Sequence, residues 1–192
     1  EQKSCSIDLA TGTGKSFVIY GLAQIMLAEG LVDQVLVLCP SRTIESGLTE
    51  KFVALAGNKM LKKLLPKKSV LANPRIVNAT RTIKKGDICI ENIHAVYKNT
   101  GSSIYDSLKD VGARTLVLND EAHHIFNKVS GTGDDNAFKE WKRFLLNPQY
   151  GFHYVVNFSG TPYIEQDYFL DIVYRYALKD GWKKKSLNLL SI

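Results

Sequence analysis

The chain has 192 residues, 45% of them hydrophobic and 23% charged, with a formal net charge of +6. That is enough material for one α/β domain with a full core. No apolar run approaches the ~20 residues of a membrane span, and the first residues do not read as a signal peptide. The positive balance suits a polyanionic partner, although a basic surface alone would carry the same charge. Three cysteines, Cys5, Cys39 and Cys89, each sit in an apolar run with no C-x-x-C spacing. They read as reduced core thiols in an intracellular, cytoplasmic compartment.

Cys5 to Leu9 reads as a first strand, followed by Ala10-Thr11-Gly12-Thr13-Gly14-Lys15-Ser16 and a helix from Lys15 to about Glu29, ended by Gly30. Gly12 and Gly14 allow the backbone to curl so that successive N–H groups face inward. Lys15 can then reach the outer phosphates of a nucleotide, and the Ser16 hydroxyl can hold Mg²⁺. The strict pattern G-x-x-x-x-G-K-S/T asks for glycine where this chain has Leu9.

Gln34 to Cys39 is a continuous apolar strand stopped by Pro40. Ser41, Arg42 and Thr43 follow at the strand exit, a combination that suits phosphate oxygens or an ordinary surface turn. Ile44 to Leu65 reads as helical, with Glu45, Glu50 and Lys51 outward, Leu48, Phe52 and Leu55 on one face, and a break near Gly57-Asn58. Lys59, Lys62, Lys63, Lys67 and Lys68 cluster around Pro66, as a solvated face or a duplex-facing patch. Arg75 to Ala79 is a short strand candidate. Asp87 to Ile93 alternates polar and apolar residues and is another, with Asn92 and His94 at its end. His94 reads as a structural histidine.

Ser103 to about Val111 reads as a helix. It precedes Thr115-Leu116-Val117-Leu118-Asn119-Asp120-Glu121-Ala122-His123-His124, an apolar run ending in two carboxylates. A central parallel strand delivers acids to its carboxyl end in this way. Asp120 is suited to Mg²⁺ and Glu121 to polarising an attacking water; capping of the next helix is the plainer role. Residues 130–136 read as a polar loop. Ala137 to Leu146 is an amphipathic helix whose Trp141 reads as core. His153 to Phe158 is the last core strand and delivers Ser159-Gly160-Thr161.

Together, the phosphate loop and the acidic pair imply that a nucleoside triphosphate is bound with Mg²⁺. They also resemble a family. Asp120-Glu121-Ala122-His123 spells the DEAH box, and Ala10 to Ser16 resembles motif I of superfamily 2 helicases and translocases. Pro40-Ser41-Arg42 is similar to motif Ia, and Ser159-Gly160-Thr161-Pro162 to motif III with Gly160 in place of alanine. Asp8 to Lys15, the doubled His123-His124, Phe158 to Pro162 and Glu91-Asn92-Ile93-His94-Ala95 more narrowly resemble the restriction (Res) subunits of type III restriction enzymes.

The resemblance implies a RecA-like P-loop NTPase domain, a mostly parallel sheet with helices on both faces, over residues 1–165. Residues 166–192 would then lead towards a second motor domain, with Asp171 to Lys179 as the link. Thr11, Gly12, Thr13, Gly14, Lys15 and Ser16 would bind ATP, and Ser16 and Asp120 would hold Mg²⁺. Lys15, Glu121 and His123 would act in hydrolysis. Ser159, Gly160 and Thr161 would couple the nucleotide state to the grip on nucleic acid by Ser41, Arg42, Thr43 and Asn92.

The implied partners are double-stranded DNA, a second motor domain and a nuclease domain of the same parent chain, and a methyltransferase subunit; none is a membrane. A base-contacting segment upstream of Glu1 and motifs beyond Ile192 are expected to lie outside these residues. Without the second domain, residues 1–192 are expected to hydrolyse ATP very slowly. An RNA helicase and a nucleotide-gated binding module without motor activity remain open alternatives.

Overall fold

Strand β2 (Gln34–Cys39) shows how the sheet is built, because all six of its residues are buried. Val35 and Val37 face one core cluster while Leu36 and Leu38 face the other. Successive side chains on a strand point to opposite faces, so an uninterrupted apolar run demands cover on both sides. A computed structural model describes residues 1–10, 12–71, 73–96, 101–126, 135–164, 167–168 and 171–176. The side chains of residues 70–71, 126, 135–138, 163–164 and 167–168 are outside the description.

The main sheet has seven strands in the order β3-β4-β2-β5-β6-β1-β9, every neighbouring pair parallel. They are β1 (Lys3–Leu9), β2, β3 (Arg75–Val77), β4 (Asp87–Asn92), β5 (Thr115–Asn119), β6 (Tyr154–Ser159) and β9 (Ile172–Tyr176). A small antiparallel pair, β7 (Tyr163–Ile164) and β8 (Asp167–Tyr168), stands apart from it. Helices α1 (Lys15–Ala28), α2 (Arg42–Ala56), α3 (Lys59–Leu64) and α4 (Lys67–Leu71) follow β1 and β2. Ile19, Tyr20, Ala23, Leu48, Phe52 and Leu61 from these helices pack on Val35, Val37, Leu116 and Leu118.

The opposite face is covered by Ile93 of a 3₁₀ turn (Ile93–Val96), by α5 (Ile104–Leu108), α6 (His123–Phe126) and α7 (Asp135–Leu146). A second 3₁₀ turn, Gly112–Arg114, feeds β5. This is the α/β, RecA-like P-loop architecture expected from the sequence, with helices on both faces of a parallel sheet. Because all seven strands run the same way, their carboxyl ends share one edge, where ligands of such sheets bind. The adjacency β5-β6-β1 brings three of the expected loops together there.

Several expectations needed adjustment. Helix α2 begins at Arg42, two residues before the expected start, because Ser41 is extended and its Oγ accepts from the Ile44 N–H at 3.3 Å. The break at Gly57-Asn58 is real, and Asn58 starts α3 by accepting from the N–H groups of Met60 and Leu61, both at 2.9 Å. Strand β4, expected from its alternation of polar and apolar residues, has all six residues buried. Asp87 accepts from the Arg75 guanidinium and the Lys84 N–H, and Glu91 from the Ala79 N–H at 2.5 Å.

Residues 172–176, read as part of a link, form the edge strand β9 beside β1. Ser6 Oγ donates to Asp171 Oδ1 at 2.9 Å, and Arg175 Nε lies 3.1 Å from the buried Asp8 carboxylate. A domain boundary at residue 165 therefore leaves out a strand of the sheet. The helix expected up to Val111 stops at Leu108, and α7 starts at Asp135. Residues 127–134 and 177–192 lie outside the description.

Candidate functional site

The loop between β1 and α1 turns on two glycines. Gly12 and Gly14 have φ of +81° and +96°, conformations that side-chain-bearing residues rarely adopt. Gly14 is also the N-cap of α1, with no side chain capping the first turn. Among the described residues no side chain accepts from the N–H groups of that turn, at the positive end of the helix dipole, which is the arrangement an anion uses. Thr13 is already engaged, its hydroxyl and N–H both donating to the Ala10 carbonyl. Leu9, where the strict pattern asks for glycine, is the last residue of β1 and is buried in the core. Thr11 lies outside the described residues.

Two strands away, the loop after β5 is stitched to its neighbours. Asp120 N–H donates to Leu38 O at 2.8 Å and Ala122 N–H to Phe158 O at 2.9 Å. Between them, Glu121 has φ of +52°, a strained conformation for a residue with a side chain. The turn swings its carboxylate onto Lys15. Lys15 Nζ lies 2.9 Å from Asp120 Oδ1 and makes a short ion pair with Glu121 Oε1. All three side chains are largely shielded from water. Burial pushes the Asp120 carboxyl above the ordinary carboxylate range, against the pull of Lys15.

The third loop follows β6. His123 Nδ1 lies 3.0 Å from Ser159 Oγ and 3.5 Å from Glu121 Oε2. Ser159 Oγ also accepts from the Thr161 N–H at 3.0 Å, fixing the bend through Gly160. Burial, the adjacent His124 and Lys15 lower His123 from its usual range against the pull of Glu121, and so favour the neutral ring. Lys15, Glu121, His123 and Ser159 thus form one connected polar path across three neighbouring strand ends.

A cavity of about 650 Å³ opens on this path, lined by Gly12, Gly14, Lys15, Ser16, Asp120 and Glu121 and walled by residues of α2. Its size is within the usual range for small-molecule sites. Two carboxylates against one ammonium leave it a formal negative charge short of neutrality, and Ser16 and Asp120 offer hard oxygen donors. That set fits Mg²⁺, which takes a few protein oxygens and completes its shell with water and phosphate. Among the described residues no group of three or more His, Cys, Asp or Glu side chains could hold a metal unaided.

Ser41, Arg42, Thr43 and Asn92 do not form one surface. Ser41 caps α2, and Thr43 lines the cavity beside the phosphate loop. Arg42 and Asn92 line a separate cavity of about 340 Å³ at the ends of β3 and β4, together with Glu45, Asn78, Thr80 and Glu91. Asn92 is buried; its amide donates to Glu45 Oε2 at 2.5 Å and accepts from the His94 N–H at 3.0 Å. Glu45, expected to face water, is drawn in by that bond. Nothing in the spacing of Glu45 and Asn92, 47 residues apart, announced it.

The model of the family "Type III restriction enzyme, res subunit" matches residues 1–164. The chain belongs to that family. Its domain is a superfamily 2-like helicase or translocase motor domain of P-loop type. Among solved structures, the UvsW helicase from bacteriophage T4 is similar at 14% identity and a TM-score of 0.45, covering 82% of this chain and 47% of that one. S. cerevisiae Dbp5 bound to RNA and ADP BeF3 is similar at 16% identity and a TM-score of 0.47, covering 97% and 39%. The chain thus spans less than half the length of either. No curated protein matches it significantly in sequence. No helix among the described residues is long and apolar enough to cross a membrane.

Proposed function

We propose that this Res-family chain is the ATP-binding and ATP-hydrolysing first motor domain of a DNA translocase or helicase, the restriction subunit of a type III-like restriction–modification system. The observation that carries the reading is the meeting of Lys15 with Asp120 and Glu121 across the β1 and β5 loops. A lysine at the start of a helix after a two-glycine turn serves phosphate; an acidic pair at a strand end two strands away serves the metal and the water.

ATP is the substrate. Its phosphates enter the turn around Gly12 and Gly14, where backbone N–H groups and the α1 dipole favour negative charge. Lys15 moves from the carboxylates to the outer phosphates, stabilising charge as it spreads in the transition state. Mg²⁺, when bound, supplies charge neutralisation and orientation of the phosphate oxygens, and Ser16 and Asp120 are the residues that hold it. Glu121, released from Lys15, orients the attacking water. His123 carries the change to Ser159 and the Gly160-Thr161 bend, which faces nucleic acid. Arg42 and Thr43, exposed at the start of α2, contact the duplex backbone, and Ser41 and Asn92 hold them there.

A second motor domain of the parent chain, entered after β9, closes on ATP and completes the site. A nuclease domain and a methyltransferase subunit are the further partners of such a system, and the site of action is the cytoplasm.

Hydrolysis by the full-length protein, measured alone, with duplex DNA and with RNA, tests the reading beside Lys15→Ala. Stimulation by duplex DNA that Lys15→Ala abolishes is expected. Stimulation by RNA alone would make the protein an RNA helicase, and stimulation by neither would leave a nucleotide-gated binding module.

A further inference from the structure

Behind the three loops lies a buried polar chain that the proposed mechanism does not use. Trp141 and Asn119 are wholly buried, and Asn157 is 3% exposed. Trp141 Nε1 donates to Asn119 Oδ1 at 3.0 Å. Asn119 Nδ2 donates to Asn157 Oδ1 at 2.9 Å, and Asn157 Nδ2 faces Ser4 Oγ at 3.4 Å. The indole is a donor only, so it dictates which way the Asn119 amide points, and that amide dictates the next. Flipping either would set donor against donor in a dry interior. The chain therefore has one direction, from α7 through β5 and β6 to β1.

Its members sit where the active geometry is set. Asn119 and Asn157 are paired directly across β5 and β6. Asn119 immediately precedes Asp120, and Asn157 lies two residues before Ser159. Leucine and valine fill the neighbouring strand positions at no polar cost, whereas two buried amides are tolerable only when fully paired. A slip of one residue between β5 and β6 would turn both amides towards apolar neighbours, so the pair enforces register.

We propose that Trp141, Asn119 and Asn157 are positioning residues for ATP hydrolysis, holding the acidic pair of the β5 loop in register with Ser159 of the β6 loop. The inference rests on the reading of the site as an ATPase. It also gives α7, none of whose described side chains lines the nucleotide cavity, a part in the chemistry. A misplacement of even about 1 Å at reacting groups is enough to slow an enzyme strongly.

The test uses the full-length protein, two variants in one buried helix face and a third on β6. Trp141→Phe keeps an aromatic ring but removes the donor together with part of the ring volume. Phe144→Leu perturbs the same core cluster without touching a polar group. With saturating nucleic acid, Trp141→Phe is expected to lower kcat by about tenfold while KM for ATP stays within about twofold. Phe144→Leu, assayed like the other well below its melting midpoint, is expected to keep the wild-type kcat. Asn157→Ala, which removes the acceptor at the far end, should match Trp141→Phe.

An unchanged kcat in Trp141→Phe would overturn the inference. So would equal losses in Trp141→Phe and Phe144→Leu, since that pattern belongs to core packing. A wild-type protein that hydrolyses no ATP with either nucleic acid would instead sink the ATPase reading, and the inference with it.

Discussion

The carboxyl edge of the sheet has two halves that treat polar side chains in opposite ways. At the ends of β1, β5 and β6, Lys15 faces two carboxylates across an open cavity. Apart from the Glu121 N–H, which donates to Asp120 Oδ1 at 3.1 Å, the charges there are paired with one another rather than with the backbone, so a polyanion with its cation can replace each partner. At the ends of β2, β3 and β4, polar groups are committed to local structure. Ser41 holds the Ile44 N–H, Glu91 the Ala79 N–H, and Asn92 both Glu45 and the His94 N–H. Arg42 and Thr43 are left exposed at the start of α2. One half is arranged to exchange partners; the other is arranged to hold two exposed side chains still.

The sharpest way to break this contrast is Lys15→Ala. It should lower hydrolysis by about 10³-fold. It also leaves Asp120 and Glu121 as shielded like charges, a loss of about 3 kcal/mol in stability. If the two acids then form an open cation site, Mg²⁺ without nucleotide should raise the variant's melting midpoint more than the wild type's. A Lys15→Ala protein as stable as wild type, and indifferent to Mg²⁺, would mean that the acidic pair does not depend on its partner.

On the other half, Arg42→Ala should weaken nucleic-acid binding evenly across sequences and reduce the salt slope of binding by about one. Its stability should stay within about 0.5 kcal/mol of wild type, as suits an exposed side chain. Ser41→Ala should do the reverse. Loss of the cap costs about 1 kcal/mol, seen in thermal or denaturant unfolding, and salt-dependent binding changes less than for Arg42→Ala. A Ser41→Ala protein of full stability but poor binding would show that the hydroxyl serves phosphate directly.

The smallest effect concerns Glu91. Burial, chiefly, raises its carboxyl above the usual 4.5, with Glu45 adding to the rise and the Ala79 N–H opposing it. A raised carboxyl favours the protonated form in the folded state, so its contribution is intact at low pH and fades as pH climbs through the folded value. The ionised group is therefore a cost at pH 7. Glu91→Gln keeps an acceptor for Ala79 and should raise the melting midpoint slightly at pH 7, with the gain vanishing near pH 4. A gain that persists at pH 4 would assign it to packing instead.

Much of this molecule was legible in the residues alone, for a physical reason that differs by region. The apolar runs of β2 and β5 could only be strands covered on both faces, and Gly12 and Gly14 could only mark a turn with left-handed backbone. Asp120 and Glu121 closed β5 at the edge where such sheets bind ligands, and Asn58 stood where a helix restarts. These are local constraints, set by sterics, periodicity and backbone hydrogen bonding within a few residues.

Contacts between distant residues were decided by tertiary structure. The alternation in β4 marked a strand, but the burial of its polar side chains depends on Arg75, Ala79 and Glu45 converging on them. Residues 172–176 read as a link because pairing with β1 leaves no mark on their own composition. Trp141 read as core, and it is; that its indole N–H orders a line of amides behind the acidic pair depends on α7 lying over β5. Spacing along the chain carries no information about which partner satisfies a buried donor, because that partner is chosen only when the sheet and its helices have packed.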